Sequence, residues 1–544
     1  MVNAIKHWIG WDLNMAYQNR KKFIEHVDDH QYSMYIPKMV TGSRWASIEE
    51  IKASLRKIDI ADEASEASGL PMISDGNVVY VDDLDHHSLI FGATGSKKTR
   101  LFCMPMINLL GHAKESMIIS DPKGELLDKN SGYLTSKGYE VKVLNFRNPN
   151  QSNMMWNPLD IPYKLYKKGD YDKATEMVTD FVSTLRAQVK SDKDPYWEIT
   201  AANYVIGIII LLFELANDVN EVNMKSVVLL ASYAHDTNEL TLSSLAKFVK
   251  ALPRQSLAAI KMLSTLLNAD NTRKSILGTV DTMLSPFMSS HNLTSLLSKT
   301  TFDVTELGIK PVALFLIIPD EKTTLHFLAS AYIKQSYELL IDLAGKSSDR
   351  MLKTRVNFVL DEFANMPRIA DMPAMITAAR SRNMRFFLII QSERQLVNIY
   401  REEAQTIKGN CTNWIFLTSR ESTLLEEIQI LCGKRNVFDR EEPLISISQL
   451  QMLDKTRGQA LILSDRQYPF ISYLADIDDY TRFKGFKSTV IDEMLFPPID
   501  FFDFDQFYEE YEHGLHPIND YFKQDGKMIK KLEESEGYAF LRGK

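Results

Sequence analysis

The sequence has few cysteines, no excess of basic residues and no apolar run long enough to cross a membrane. Only three cysteines occur among 544 residues, at Cys103, Cys411 and Cys432. Their wide, unpaired spacing argues against a disulfide framework and against a zinc site, and it favours a reducing compartment. The formal net charge of −8 offers no overall basic surface. Any contact with DNA must therefore come from local patches or from an enclosed channel.

The apolar run at residues 204–213 is about half as long as a membrane-spanning helix requires, and Asn203 and Glu214 bound it. We interpret it as part of a buried core helix. Charged and polar side chains interrupt the first 22 residues throughout, so that this segment predicts neither a signal peptide nor a spanning helix. The chain length and the 45% hydrophobic content predict two or three globular domains.

Short apolar runs that alternate with helical segments predict an α/β domain with buried parallel strands. The run of strands is interrupted by consecutive helix-period segments, which predicts an all-α domain inserted into the α/β domain. The predicted strands lie at residues 88–91, 117–120, 141–144, 312–318, 356–360, 386–390, 414–417 and 460–463, and the predicted helices of the insertion at 171–189, 196–215, 240–252, 256–267 and 274–289. The predicted boundaries are 1–80 for an N-terminal segment, 81–165 and 300–480 for the two parts of the α/β domain, 166–299 for the all-α domain and 481–544 for an acidic and aromatic tail.

Residues 90–100 read IFGATGSKKTR and follow the pattern of a phosphate-binding loop. Such a loop directs backbone N–H groups and a helix N-terminus at a polyphosphate, while a lysine and a Ser or Thr reach the phosphates and Mg²⁺. Lys97 stands where the pattern has its last glycine. The bulk of Lys97 must be accommodated if a nucleotide binds, although another cation is electrostatically favourable beside phosphates. For the loop as a whole, the alternative interpretation is a chance resemblance of an ordinary strand-turn-helix segment. The candidate nucleotide-binding residues are Gly92, Ala93, Thr94, Gly95, Ser96, Lys97, Lys98, Thr99 and Arg100.

Two later strands also end in polar residues that suit phosphoryl-transfer chemistry. The segment VNFVLDEF places Asp361 and Glu362 after a strand, where Asp361, with Thr99, suits Mg²⁺ and Glu362 suits a base for the attacking water. Gln391 follows FFLII and could sense the terminal phosphate or orient water. A solvated turn and a polar cap are the ordinary alternatives for these two sites.

Three arginines, Arg380, Arg382 and Arg385, cluster before or at the start of the FFLII strand. One of them could act as an arginine finger in a neighbouring subunit, and Arg382 is our candidate. Surface exposure or an ordinary salt bridge is the alternative for each. Asp121 and Lys123 in SDPKGELL also follow a strand, where ligands bind in open α/β sheets, although Asp-Pro and Lys-Gly are common turn sequences as well.

Together these motifs resemble the conjugative coupling ATPases of type IV secretion systems. The segments that carry the resemblance are GATGSKKT, SDPKGELL, NPL, DPYWEITAAN, VLDEFANMPRI, IIQSERQL and GNCTNWIFL, in that order, within about residues 85–480. The resemblance implies a RecA-like P-loop NTPase domain with an inserted all-α domain, ATP and Mg²⁺ as cofactors, and a ring of six copies that binds DNA in its channel. It also implies relaxase or relaxosome partners, type IV secretion channel ATPases and recruitment from the cytoplasm to the inner face of the bacterial membrane.

This chain differs from the family pattern at Lys97 and in the absence of the usual N-terminal pair of membrane helices. We therefore expect either a member tethered through a membrane partner or a chain that lacks that segment. The expected function is that of an ATP-driven DNA translocase, with single-stranded DNA favoured. The alternatives are a non-hydrolysing adaptor that recruits secretion substrates, with Lys97 as its signature, and a double-strand pump of the wider RecA-like group, which fits the motifs less well.

Two further segments allow more than one interpretation. The tail at residues 497–514 combines Phe and Tyr with Asp and Glu. It could dock a basic partner, mimic nucleic acid in an autoinhibited state, or pack over its own domain. Trp197 could be a contact residue of the all-α domain or part of its core, and its position on the apolar face with Val205, Ile208 and Ile209 predicts the core.

Overall fold

The computed structural model describes residues 40–62, 67–189, 195–237, 242–319, 321, 323–437, 440–464 and 466–514. These residues form two compact units. The first unit contains the described residues up to Asn153 together with Asp303–Met494, and the second contains Met154–Phe302 and the described residues from Leu495 onward. The all-α unit thus begins about a dozen residues before position 166, because the segment around Trp156 hydrogen-bonds to the last helix before Phe302 through Trp156 N and Leu296 O, 3.1 Å apart.

All strands in the described part of the chain belong to the first unit. Seven of them, β5 to β11, run parallel to one another in a nine-stranded sheet of order β15-β14-β11-β5-β10-β9-β6-β8-β7, and only β14 runs in the opposite direction. The strands are β1 (Val40–Gly42), β2 (Arg56–Asp59), β3 (Leu70–Ser74), β4 (Val78–Asp82), β5 (His87–Gly92), β6 (Ser116–Asp121), β7 (Glu140–Asn145), β8 (Val312–Ile317), β9 (Val356–Leu360), β10 (Met384–Ile390), β11 (Cys411–Thr418), β12 (Lys434–Val437), β13 (Arg440–Pro443), β14 (Gln459–Leu463) and β15 (Phe470–Tyr473).

The strands at the centre of this sheet are fully buried, from β5 through β10 and β9 to β6. Their continuous Val, Ile, Leu and Phe runs are typical of parallel strands that helices cover on both faces. The eight predicted strands are confirmed. Strand β15, the small antiparallel sheet β2-β4-β3 and the sheet β1-β12-β13 are not predicted by the sequence pattern, because these strands are short and partly polar.

The α-helices divide between the two units. In the first unit they are α1 to α3 and α12 to α17, and in the second α4 to α11 and α18. Their bounds are α1 (Ile48–Ser54), α2 (Met104–His112), α3 (Glu125–Ser136), α4 (Asp160–Lys167), α5 (Tyr171–Arg186), α6 (Tyr196–Leu215), α7 (Met224–Ser232), α8 (Ser244–Ala251), α9 (Leu257–Leu266), α10 (Asp270–Ser289), α11 (His291–Leu296), α12 (His326–Gly345), α13 (Met372–Ala379), α14 (Glu393–Tyr400), α15 (Glu403–Asn410), α16 (Ser422–Cys432), α17 (Ile447–Gln451) and α18 (Phe504–Glu512).

Helix α6 is the core helix of the all-α unit. It is long and apolar enough to cross a membrane, with a mean hydropathy of 1.8, but 78% of that window is buried inside the structure. The interpretation of residues 204–213 as part of a core helix is therefore confirmed. Trp197, in the first turn of α6, is only half-buried and meets Tyr196 edge-on with ring centroids 5.2 Å apart, so its prediction as a core residue is wrong. Its neighbours Tyr196 and Ile199 are 47% and 44% exposed, so that this first turn of the helix is only partly covered.

The acidic and aromatic tail packs on the all-α unit. Phe248 of α8 meets Phe507 of α18 at a centroid distance of 5.3 Å, and Tyr233 meets Phe504 at 5.1 Å. Asp503 caps α18 by accepting a hydrogen bond from the Gln506 amide. Of the three interpretations of the tail, packing over its own domain is the one seen for residues 499–512. Residues 1–39 and the remainder from position 515 lie outside the described residues, as do residues 63–66 in the Ser- and Ala-rich stretch at 61–69, which the sequence suggests is a linker.

Candidate functional site

The phosphate-loop segment joins the end of β5 to α2 through a π-helical turn at Thr99–Cys103. Lys98 is buried, and its Nζ donates to Gly92 O over 2.5 Å. A Cβ added at Gly92 would lie 2.4 Å from Ser96 Oγ and 2.7 Å from Lys98 Cγ. Only glycine therefore fits at position 92, and the loop closes around its own lysine.

Asp361 and Glu362 lie beside this loop because the carboxyl ends of parallel strands meet at one edge of a sheet. Asp361 follows β9, is 6% exposed, and accepts a hydrogen bond from the Glu362 amide over 3.0 Å. Burial, and next the charge of Glu362, raise the pKa of Asp361 to about 7. The backbone of Glu362 is left-handed, with φ of 56°, a conformation that non-glycine residues adopt at a cost and that clusters at functional sites.

Gln391 follows β10, the strand that lies between β5 and β9. Its side chain connects the phosphate loop to Glu362. Thr94 Oγ1 donates to its Oε1 over 2.8 Å, and its Nε2 donates to Glu362 Oε1 over 2.6 Å. Asn365 Nδ2 donates to the other oxygen of Glu362 over 3.2 Å. The structure thus brings the three sequence-predicted elements into one hydrogen-bonded chain. The capping role belongs to the next residue, Ser392, whose side chain accepts from the Gln395 amide at the start of α14.

Lys97 adopts the conformation that its position requires, with φ of 68° in the left-handed region. Its Nζ lies 3.3 Å from Asp476 Oδ2. Arg100 also binds Asp476, through Nε at 3.1 Å and through its second nitrogen, and it contacts Asp478 as well. Burial is the largest single cause and opposes ionisation of Asp476, but the hydrogen bonds from Arg100, from the Asp478 amide and from Lys97, together with the charge of Arg100, outweigh it and lower the pKa of this carboxyl group. The ammonium group of Lys97 is therefore paired with a carboxylate, whereas the sequence suggested a cation free to face phosphates.

The three clustered arginines have different surroundings. Arg385 is 1% exposed and forms an ion pair with Glu115 and a 2.8 Å hydrogen bond from Nε to Asn357 Oδ1, so that it is a structural residue and not a finger. Arg380 is exposed, and Arg382 is partly exposed in the turn before β10. Arg382 lies at the opposite end of β10 from Gln391, about 20 Å away for a seven-residue strand. It does not reach the phosphate loop of its own chain.

SDPKGELL places one carboxylate at the same edge. Asp121 ends β6 next to Asp361, and its Oδ2 accepts from the Leu127 amide of α3 over 2.8 Å. Burial is the first cause that raises the pKa of Asp121 to about 6. Lys123 is exposed. Asp121 thus caps a helix with one oxygen, while its Oδ1 has no hydrogen-bond partner in the described structure.

Sequence reasoning missed the residues that reach the loop from the far end of the chain. Lys455 Nζ donates to Gly95 O over 3.3 Å, and Asp476 holds Lys97 and Arg100. Lys455 precedes β14 and Asp476 follows β15, so that this antiparallel strand pair at the edge of the sheet brings both residues to the loop. The sequence did not reveal β14 and β15 as a pair. The acidic run DIDD at residues 476–479 was the available signal.

These residues fit a polyphosphate with Mg²⁺. Ser96 Oγ is buried and, within the described residues, has no hydrogen-bond partner. The ammonium group of Lys98 interacts electrostatically with the buried carboxyl group of Asp361, and these two groups suit phosphate oxygens and a hard divalent cation. A cation here would also stabilise the ionised form of Asp361, which burial disfavours.

The fold and the site together define a RecA-like P-loop NTPase that carries an all-α unit. The family described as Type IV secretory system conjugative DNA transfer matches residues 44–465, and the chain belongs to this family. The resemblance to the conjugative coupling proteins seen in the sequence is thereby confirmed.

Solved structures of the plasmid coupling protein TrwB share the fold. TrwB in complex with the ATP analogue ADPNP has a TM-score of 0.60 at 17% identity, covering 85% of this chain and 99% of the TrwB chain. TrwB in complex with ADP and Mg²⁺ has a TM-score of 0.59 at 16% identity, with the same coverage. The unbound TrwBdeltaN70 structure has a TM-score of 0.59 at 18% identity, covering 84% and 96%. At these identities the likeness establishes the fold.

One curated sequence also matches, an uncharacterized protein of Bacillus anthracis. It is 31% identical over 81 residues, which is 15% of this chain. The match spans 30% of the length of that protein, and it carries no information on function.

Proposed function

We propose that this chain is a coupling ATPase of conjugative DNA transfer, which uses ATP hydrolysis to move DNA toward a type IV secretion channel. Family membership supports the class of process. The observation that carries the enzymatic proposal is the hydrogen-bonded chain Thr94–Gln391–Glu362, which links the phosphate loop to a carboxylate suited to act as a base. ATP with Mg²⁺ is the proposed nucleotide, as in the TrwB complexes with ADPNP and with ADP and Mg²⁺.

In the proposed reaction, the loop amides and Lys98 bind the phosphates, and Thr99 and Asp361 would hold Mg²⁺. The metal, when bound, neutralises charge that develops on the transferred phosphoryl group. Glu362 accepts a proton from the attacking water, and Gln391 holds the Glu362 carboxylate and orients that water. Because Arg382 does not reach its own loop, it is proposed to act on the site of a neighbouring subunit.

The arginine assignment requires an assembly, and we propose a homo-hexameric ring with ATP at the subunit interfaces. Single-stranded DNA is the proposed substrate, bound through phosphate contacts that are independent of sequence and sensitive to salt. A relaxase or relaxosome, the channel ATPases and a membrane tether are the proposed partners. The proposed location is the cytoplasmic face of the bacterial membrane. We also propose that the all-α domain, predicted at 166–299, is the surface that recognises the relaxase or accessory proteins.

One observation favours the second candidate, an adaptor of the same fold that recruits substrates without hydrolysis. Lys97 occupies a left-handed position where the pattern of a phosphate-binding loop has its last glycine. The proposed ATPase keeps an ammonium group, a buried carboxylate, a candidate base and a glutamine in contact range, whereas an adaptor has no physical need for that combination.

The test is Mg·ATP hydrolysis by the purified chain, with and without single-stranded or double-stranded DNA. Glu362→Gln keeps the side-chain volume but cannot accept a proton, and it is expected to lower the turnover rate by about 100-fold or more while nucleotide still binds. The exposed Glu426→Gln on α16 is the matched control and should hydrolyse ATP normally. Binding without hydrolysis in the unaltered chain would favour the adaptor, and preference for double strands would favour a duplex pump.

A further inference from the structure

The phosphate-loop segment is tied to an acidic turn at the edge of the sheet. Lys97 lies between Ser96 and Lys98, which are both buried, yet the Lys97 side chain is 36% exposed. It extends to Asp476, whose Oδ2 lies 3.3 Å from Lys97 Nζ. The lysine thus leaves the loop on the side away from the buried residues that flank it.

Asp476 is held firmly in place. Strand β15 runs in the same direction as β5, so that the residues after Tyr473 emerge at the edge where the phosphate loop lies. Asp476 caps the 3-10 turn Ile477–Asp479 by accepting from the Asp478 amide, and its own amide donates to Asp479 Oδ2 over 2.9 Å. Arg100 binds both oxygens of the carboxylate, and only 14% of the Asp476 side chain is exposed.

We propose that Asp476 is a positioning residue for nucleotide binding, which holds the Lys97 side chain clear of the phosphate cradle and so lets this loop work without its last glycine. The inference rests on the proposed ATPase function. It concerns how this chain keeps the space beside the phosphates free at position 97, where the pattern of a phosphate-binding loop has glycine. A flexible lysine without a partner could fold back over the loop, where its stem would occupy the space of a phosphate group. The ion pair removes that conformation, and the partly buried carboxylate makes the pair stronger than one at a fully exposed surface.

A double-mutant cycle separates this role from a general contribution of Asp476 to folding. The four proteins are the unaltered chain, Asp476→Asn, Lys97→Gly and the double variant, and the measurement is the dissociation constant of the non-hydrolysable analogue ADPNP with Mg²⁺. Asp476→Asn should weaken binding by about tenfold in the unaltered loop. In the Lys97→Gly protein, which has no side chain to hold clear, the same change should weaken binding by less than about twofold.

Two more variants keep the test decisive. Asp478→Asn removes the other carboxylate that Arg100 contacts but no contact of Lys97, and it should change affinity by less than about twofold. Lys97→Met keeps the bulk and removes the charge, so that Asp476 cannot hold it. It should bind ADPNP more weakly than both the unaltered chain and Lys97→Gly, whether or not Asp476→Asn folds.

The outcomes distinguish the inference from the proposed function. An equal loss in both backgrounds, no loss in either, or normal binding by Lys97→Met would overturn the role of Asp476 while the ATPase proposal stands. Binding by Lys97→Gly alone would show that Asp476 does not clear the cradle, and it would favour the adaptor. No binding by any of the four proteins would overturn the proposed function itself, and the inference with it.

Discussion

Gln391 donates from Nε2 to Oε1 of Glu362 over 2.6 Å. The same amide accepts from Thr94 of the phosphate loop over 2.8 Å, so that Gln391 connects the loop to the candidate base through the two polar atoms of its terminal amide. A movement of Thr94 would therefore shift the position of the Glu362 carboxylate.

We predict that Gln391→Ala separates nucleotide binding from hydrolysis. Because the amide orients Glu362 and contacts the phosphate loop only through the Thr94 side chain, the turnover rate should fall by about 100-fold, while the affinity for Mg·ADP changes by less than about threefold. Steady-state kinetics and equilibrium binding check this. Gln395→Ala, at an exposed position in α14, is the control; a comparable loss of turnover there would show that the effect is not specific to position 391.

Arg385 and Arg382 should give opposite results. Arg385→Leu leaves Glu115 without its buried partner and should lower the free energy of unfolding by about 3 kcal/mol, although Arg355 still contacts Glu115 at 3.3 Å. Arg382→Leu removes a partly exposed side chain and should change stability by less than about 0.5 kcal/mol. Urea denaturation measures both effects.

The Arg382→Leu variant also tests the proposed arginine finger. Arg382→Leu should abolish DNA-stimulated hydrolysis in the assembled protein without weakening nucleotide binding, because the arginine is proposed to act in the transition state. Mixing Arg382→Leu with Glu362→Gln subunits should restore part of the activity if the residues act across an interface. Full activity of Arg382→Leu would rule it out as the finger.

Phe504→Ala should destabilise the all-α unit. Phe504 is 2% exposed and meets Tyr233 and Phe248, so that its truncation leaves a cavity and should cost about 3 kcal/mol of unfolding free energy. Phe501→Ala is the matched control, because Phe501 is 43% exposed and its truncation should cost less than about 1 kcal/mol. Equal effects would indicate that α18 does not hold its packed position in solution.

Glu214 makes the stability of the all-α unit depend on pH. Burial is the main cause that raises the pKa of Glu214 from 4.5 to about 7, opposed by the hydrogen bond that Tyr166 donates over 3.2 Å. Between these two pKa values the folded state keeps a proton that the unfolded state has released, so the free energy of unfolding falls as the pH rises from 4.5 to 7. Glu214→Gln should flatten this dependence and raise the melting temperature at pH 8 by about 3 °C.

Thermal unfolding at about pH 5.5 and about pH 8, on either side of the raised pKa, checks this prediction. Glu176→Gln on α5 is the control, because Glu176 is exposed, and it should leave the pH dependence unchanged. If the Glu214→Gln protein melted at the higher pH at the same temperature as the unaltered chain, Glu214 would already be ionised at no cost in the folded state.

Much of the fold and of the candidate site can be predicted from the sequence, through its apolar runs and the polar residues that follow them. The eight strands from residues 88–91 to 460–463 appear where continuous Val, Ile, Leu and Phe runs predict them, since buried parallel strands need apolar side chains on both faces. The same reasoning placed Asp361 and Gln391 after their strands, and the resemblance to the coupling ATPases is what implied nucleotide roles for them. In the folded chain they lie beside the phosphate loop because parallel strands end at one edge.

Only the tertiary structure decided which distant residues meet, because the local sequence pattern contains no information on such pairings. Lys97 and Asp476 are 379 residues apart, and Thr94 and Gln391 are 297 apart, so that each pairing depends on strand order and register and not on neighbouring sequence. Arg380, Arg382 and Arg385 look alike in a sequence, yet a short step into β10 separates the partly exposed Arg382 from Arg385, the buried partner of Glu115. Composition and periodicity determine which segments are buried; only the packed sheet determines which charges meet.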